Sequence, residues 1–240
     1  NTVPYNTVYP YPGSQTLYAN GYSPSLLEVT DGDFTSLSIP EDLLGRLDVT
    51  STKGFVQGST ADPFDSKTLV FRHILSKVNF YARLGEIPAE RYFRDVKVTV
   101  NGNKRLTKNI KWNYETKAWQ AGETISVDIL WTGSDENENQ MDPNEIDPRT
   151  IGSVYIHPGQ ASITFDIELE MSETATFDSY ETIRSTATVG FENPSGTAIE
   201  LDAGEEYDIN ITILYDSFVI KGNKALWQDG GKIPLPFYPN

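Results

Sequence analysis

Residues 163–171 read Ile-Thr-Phe-Asp-Ile-Glu-Leu-Glu-Met. Apolar side chains stand at 163, 165, 167, 169 and 171, and polar ones fill every position between. A period of two sends alternate side chains to opposite faces of an extended chain, one face to a core and one to water. The same alternation recurs in Tyr207, Ile209, Ile211, Ile213 and Tyr215, in Val96, Val98 and Val100, and in Ile125, Val127 and Ile129. β-Branched and aromatic residues supply most of these positions, as strands favour. One apolar and one wet face is the pattern of antiparallel sheets.

The stretch from Thr68 to Arg83 carries a phase change. Leu69, Phe71, His73 and Leu75 share one parity, and Val78, Phe80 and Ala82 share the other. A β-bulge near Ser76 and Lys77, or a strand that bends or changes sheet there, accounts for the flip. Helical signals are short: Pro40 to Leu47 (PEDLLGRL) suits one turn, and Pro88 to Phe93 is a second candidate. Asn101-Gly102-Asn103 reads as a hairpin turn leading Val96–Val100 into the next strand. Asn193-Pro194-Ser195-Gly196 and Asp229-Gly230-Gly231 read as further turns. Many short strands separated by turns predict one or two β-sandwiches, with a boundary in the segment Gly85 to Arg91.

The 240 residues are 38% hydrophobic, with 14 Pro and 18 Gly, a globular composition rich in turns. The formal net charge is -15. So acidic a surface repels phosphate backbones and anionic membranes, which argues against nucleic acid as a partner. The absence of Cys excludes disulfides, thiolate metal sites and Cys nucleophiles. No apolar run reaches the about 18 residues of a membrane-spanning helix. The chain starts at Asn1 without Met; the expectation is a processed or trimmed form whose export signal or lipid anchor lay upstream.

Candidate chemistry is sparse. His73 and His157 are the only histidines. His73, between Phe71 and Leu75, reads as a core or edge histidine bonded to backbone or a hydroxyl. His157 reads as structural, before Pro158 at a strand start. Asp135, Asn137 and Asn139 match the first three ligand positions of a calcium loop. Gln140 then stands where the turn needs Gly, and Ile146 where the bidentate Glu belongs. The segment Ser134 to Pro148 is therefore a solvated acidic loop, with weak calcium binding by Asp135, Asp142, Glu145 and Asp147 as the sharper alternative. Aromatic clusters at Tyr5, Tyr9, Tyr11, Tyr18 and Tyr22, and at Trp112, Tyr114 and Trp119, suit either strand packing or a sugar-binding platform. Paired carboxylates for glycoside hydrolysis find no recognisable constellation. No residue is assigned a catalytic, cofactor-binding or metal role, and no cofactor is expected.

Three segments resemble landmarks of the Bacteroidales fimbrillin-like family, the type V pilus subunits. They are Tyr9 to Pro24 (YPYPGSQTLYANGYSP), Leu69 to Phe80 (LVFRHILSKVNF) and Leu201 to Trp227 (LDAGEEYDINITILYDSFVIKGNKALW). Val154 to Pro158 (VYIHP) is similar to a strand start of that family. The resemblance implies an all-β chain of two tandem transthyretin-like, Greek-key β-sandwich domains. Applied here, that gives an N-terminal domain over 1–86, with its first strands short or missing, and a C-terminal domain over 87–240. It implies a lipoprotein precursor exported to the outer membrane and the cell surface. Removal of an N-terminal strand by a protease would then let subunits polymerise by strand donation. The partners implied are other fimbrial subunits, with host or bacterial surface ligands as further possibilities, and a membrane touched only through a lipid anchor upstream. The alternative is a cell-surface glycan-binding module of a polysaccharide-uptake system, marked by a planar row of exposed Trp and Tyr. A hydrolase would require a deep cleft with two close carboxylates.

Overall fold

The computed structural model describes residues 17–19, 22–23, 28–30, 34–40, 43–52, 55–57, 68–69, 71–85, 91–100, 106–113, 118–121, 124–125, 129–132, 141, 147–214, 218–225 and 233–234. All the regular elements among them are strands, apart from one tight helical turn at 43–46. Nine strands build the main sheet. Along the chain they are β1 (Ser76–Leu84), β2 (Tyr92–Val100), β3 (Ile129–Thr132), β4 (Arg149–Ile156), β5 (Ser162–Ser172), β6 (Glu181–Glu192), β7 (Ala198–Ile199), β8 (Glu206–Ile213) and β9 (Phe218–Ala225).

Their hydrogen-bonded order is β3-β2-β5-β6-β9-β8-β1-β4, with β7 paired to the end of β6. The path folds over, so that β3-β2-β5-β6 faces β9-β8-β1-β4 across one core. Phe80 of β1 meets Phe165 of β5 edge to face, with ring centroids 5.2 Å apart. Phe191 at the end of β6 meets Tyr207 of β8 at 5.3 Å. The two ends of the path, β3 and β4, also lie against each other, so the sandwich nearly closes on that side. The inward sets Ile163/Phe165/Ile167/Leu169 and Tyr207/Ile209/Ile211/Ile213 are fully buried, as the two-residue period requires.

β8 lies parallel to β1, with Tyr207 opposite Val78, Ile209 opposite Phe80, Ile211 opposite Ala82 and Ile213 opposite Leu84. The Tyr207 hydroxyl is satisfied within its own approach loop. It accepts from the Asp202 amide (2.8 Å) and donates to the Glu200 carbonyl (3.3 Å), as a buried phenol must. A smaller antiparallel sheet runs Ala118–Ala121, Asn109–Asn113, Phe34–Ser38, Glu28–Thr30. Ile39, Leu44, Val49, Leu106 and Ile110, from this part of the chain, join the same hydrophobic cluster as the main sheet.

Several local readings change. The phase flip in 68–83 is a change of sheet: Phe71–His73 pairs with Thr50–Thr52, the chain breaks at Ile74 and Leu75, and β1 starts at Ser76. Both Ile74 and Leu75 are buried, and the break is what lets the chain keep apolar residues inward on either side of it. The bulge lies elsewhere, in β2, where the register with β5 shifts between Arg94 and Lys97 and Asp95 takes a φ of 53°. It restores Phe93 and Val96 to the same face. The hairpin turn expected at Asn101-Gly102-Asn103 lies outside the described residues. β2 pairs with β3 and β5, whereas Leu106–Thr107 pairs with Thr124–Ile125. Of the helix expected at Pro88 to Phe93, Tyr92 and Phe93 belong to β2, because Phe93 is needed in the core; 86–90 lie outside the described residues. Val154 to Pro158 is the end of β4 rather than a strand start. The turn at Asn193 to Gly196 is present, closed by Gly196 N–H to Asn193 C=O at 2.9 Å with Gly196 at φ 77°. The boundary expected between 86 and 87 falls between β1 and β2, and β1 pairs with β4 and β8 from beyond it.

Among the described residues β6 and β9 pair only where Phe191 and Glu192 meet Gly222 and Asn223. A Cβ on Gly222 would stand 2.7 Å from the Gly190 carbonyl oxygen and 3.0 Å from Val189 and Phe191. Gly222→Val is therefore expected to lower stability by about 1–3 kcal/mol through overpacking against backbone. Gly190→Ala, whose Cβ would meet nothing nearer than 3.7 Å, is expected to be close to neutral. Urea unfolding of the two variants checks the contrast, and equal losses would contradict it.

Candidate assembly edge and polar face

The inward residues of neighbouring strands differ in cover. In β5, Phe165, Ile167 and Leu169 are buried, but opposite them in β6 Ala187, Ser185 and Ile183 are only half-buried. In β8 the inward residues are buried, but Phe218 and Ile220 of the adjoining β9 are half-buried. The hydrophobic core thus thins on both layers at the same side of the sandwich. Among the described residues no strand pairs with the outer edge of β6 over 181–190 or of β9 over 218–221. The two strands run parallel, meet at the Gly222 contact and are unpaired before it. Val219, 45% exposed, stands at this opening. Among the described residues, every second residue of this ten-residue stretch of β6 presents backbone donors and acceptors without a strand partner, over about 34 Å.

The outer face of the β1–β8 pair carries a half-buried polar cluster. Lys77 Nζ donates to Glu206 Oε1 at 2.7 Å, Asn79 Nδ2 donates to the same oxygen at 2.7 Å, and to Asp208 Oδ1 at 2.9 Å. Asn79 is only 6% exposed. Burial alone raises the Glu206 carboxyl, but the hydrogen bonds from Lys77 and Asn79 with the Lys77 charge outweigh it, so the net shift is down. Tyr155, on the neighbouring β4, is pushed up to about 12 by burial and then by the negative charges of Asp48 and Glu206. Burial and Asp208 raise Tyr81 in the same direction.

His73 meets a carboxylate: its Nδ1 lies 3.0 Å from Asp48 Oδ1. The sequence separation of 25 residues hid that partner. His157 lies just past β4, 3.5 Å from Gln160 Nε2, and its imidazole is lowered by burial. Asp147 is exposed, while Asp135, Asn137, Asn139, Asp142 and Glu145 lie outside the described residues, as do Tyr5, Tyr9, Tyr11, Tyr114 and the turn Asp229-Gly230-Gly231. Trp112 and Trp119 are register partners in the antiparallel pair Asn109–Asn113 and Ala118–Ala121. Among the described residues the exposed large hydrophobic side chains are Tyr180 and Val219, which do not form a planar aromatic row. The half-covered edge went unread in the sequence, although Gly190 and Gly222 inside two strand patterns are the sign of a close backbone approach.

No family model and no curated protein matches the chain. Solved structures do. A fimbrial protein from Bacteroides vulgatus aligns over 87% of this chain and 77% of its own, with a TM-score of 0.57 and 12% identity. The fold is similar to that of this fimbrial protein. A proposed cell adhesion protein from Bacteroides uniformis aligns over 94% of this chain and 78% of its own, with a TM-score of 0.52 and 13% identity. At 12–13% identity the likeness is one of fold.

The polar cluster makes stability depend on pH at the alkaline end. The folded Tyr155 holds its proton up to about 12, against an ordinary value of 10.0. The stability this contributes is complete below pH 10 and is lost as pH rises through 12. Unfolding free energy is expected to fall across that window, and less steeply in Tyr155→Phe. An unchanged slope in the variant would refute the assignment. Glu206→Ala, which leaves Lys77 without its carboxylate and removes one of two acceptors for Asn79, is expected to cost about 1–3 kcal/mol at neutral pH by urea unfolding.

Proposed function

We propose that the chain is a fimbrillin-like subunit of a bacterial surface fimbria, structural or adhesive, and not an enzyme. In this reading it consists of two tandem transthyretin-like sandwiches, with β1 counted in the second. It reaches the cell surface as a lipoprotein anchored upstream of Asn1. Its partners are other fimbrial subunits, and it polymerises by accepting a strand.

The observation that supports strand acceptance is the unpaired, half-covered side between β6 and β9. A donated strand supplies what that side lacks. Its backbone satisfies the edge of β6 by β-augmentation, and its alternate apolar side chains cover Ile183, Ala187, Phe218 and Ile220. A head-to-tail contact of this kind does not close on itself and builds a filament. The fold likeness to fimbrial and adhesion proteins supports the same reading.

The test is assembly. The full precursor, with its upstream strand, is treated with a trypsin-like protease and followed by size-exclusion chromatography and negative-stain microscopy. The expected result is ladders or fibres after cleavage, abolished in Ile183→Glu/Ile220→Glu. Both positions are half-exposed, so the variant is expected to keep a melting temperature near that of the parent. A precursor that stays monomeric after every cleavage would refute assembly by strand exchange.

A further inference from the structure

The hairpin between β5 and β6 is unusually well held for a loop. Ser172 Oγ donates to the Ser179 carbonyl at 2.8 Å and accepts from the Thr174 amide at 3.1 Å, while Phe177 N–H reaches the Thr174 carbonyl at 3.2 Å. Phe177 is 5% exposed but is no part of the main hydrophobic cluster. Its ring lies instead on the outer face of the sandwich, under the guanidinium of Arg94, whose Cζ is 4.3 Å from the centroid. The same Cζ is 5.3 Å from the ring of Tyr180, which is 50% exposed. Asp95 and Phe177 are the two non-glycine residues with left-handed backbone among the described residues, and both adjoin Arg94. Strain of this kind persists only where the surroundings impose it, and it gathers at ligand-holding sites.

Arg94 Nε donates to Glu170 Oε2 at 2.7 Å, which fixes the guanidinium plane. From this point a polar trough runs along the same outer face. Lys97, Glu168 and Arg184 stand in one register row, and Thr99, Asp166 and Thr186 in the next. They line an open depression of about 570 Å³. Arg184 Nε donates to Glu168 at 2.6 Å and Thr186 Oγ1 to Asp166 at 2.6 Å, so the rows are pre-ordered. From Glu170 to Thr164 the face extends about 20 Å. Its three cations, Arg94, Lys97 and Arg184, stand among four carboxylates, Asp95 (3.6 Å from Arg94 Nε), Asp166, Glu168 and Glu170. In a chain of net charge -15 this strip is close to balanced.

We propose that this face binds a neutral oligosaccharide, with one sugar ring stacked on the exposed side of Tyr180 and further residues laid along the trough. A rigid aromatic beside a few fixed polar groups is the usual form of a specific small-ligand site. Carboxylates, hydroxyls and guanidinium N–H groups in rows match the mixed donors and acceptors of sugar hydroxyls. The balance of charge favours an uncharged ligand over a polyanion or a basic peptide. The site lies on the outer face of the sandwich and involves none of the apolar residues of the β6–β9 opening, so it does not depend on assembly by strand donation.

The test is binding of the isolated subunit to an array of neutral oligosaccharides, with sulfated and sialylated glycans and oligolysine peptides as comparison probes. The variants are Tyr180→Ala and, as a control, Val219→Ala at the other exposed apolar side chain. The expected result is binding to neutral glycans that falls at least tenfold in Tyr180→Ala and is unchanged in Val219→Ala. Melting temperature should match the parent in both variants, and protease-triggered assembly should match it in Tyr180→Ala. Binding confined to charged probes, no glycan binding at all, undiminished binding by Tyr180→Ala, or failure of that variant to assemble would each overturn the proposal.

Discussion

The parallel pairing of β8 with β1 is the contact on which the sandwich rests. It joins residues 129 positions apart, as Lys77 and Glu206 show, so it closes a long stretch of chain. Its register is written twice. On the inner face apolar meets apolar, Ile209 with Phe80 and Ile211 with Ala82. On the outer face Lys77 and Asn79 meet Glu206 and Asp208 through three short hydrogen bonds. A slip of one residue would turn Tyr207, Ile209, Ile211 and Ile213 to the polar side and bury Glu206 and Asp208 in the core, which the register cannot tolerate. With β8 fixed, β4 adds beyond β1 and β9 beyond β8, and Phe80 and Tyr207 are held where the opposing layer meets them.

That placement also decides where the core runs out. β5 and β8 are internal strands with fully covered inner faces. β6 and β9 are their outer neighbours, and their inner faces are covered only in part. The one point where these two strands meet depends on glycine at 222, since a side chain there would strike the Gly190 carbonyl. Among the described residues the opening follows from how the layers are joined, and it leaves the edge on which the proposed assembly relies without a strand partner. The outer face of the other layer carries a different kind of order: rows of matched charges and hydroxyls, closed at one end by the Phe177–Arg94–Tyr180 stack.

Much of the fold was legible in alternation alone. The run 163–171 is β5 and the run 207–213 is most of β8, because strict period-two patterns leave one burial choice. The phase flip in 68–83 correctly marked a discontinuity, and the structure resolves it as a change of sheet. What alternation cannot carry is partnership. Among the described residues β2 pairs with β3 and β5, strands that lie far along the chain from it. The Asp95 bulge was hidden because Val96–Val100 already alternates and the break comes just before it. His73 with Asp48, and Arg94 with Phe177, are tertiary pairings with no local signal. The polar edge residues were visible as outward positions, but whether an edge is covered depends on all the other strands.

The measurement that bears most directly on the open-edge account is amide hydrogen exchange of the subunit before and after assembly. In the free subunit, amides of 181–190 are expected to exchange much faster than those of β8 and β1, as an uncovered edge does beside a core. After assembly the amides of 181–190 and 218–221 should gain protection, while β2 and β4 remain as they were. Protection of 181–190 already equal to that of β8 in the free subunit, or no gain there on assembly, would contradict the claim that this side of the sandwich is the one left open for a partner strand.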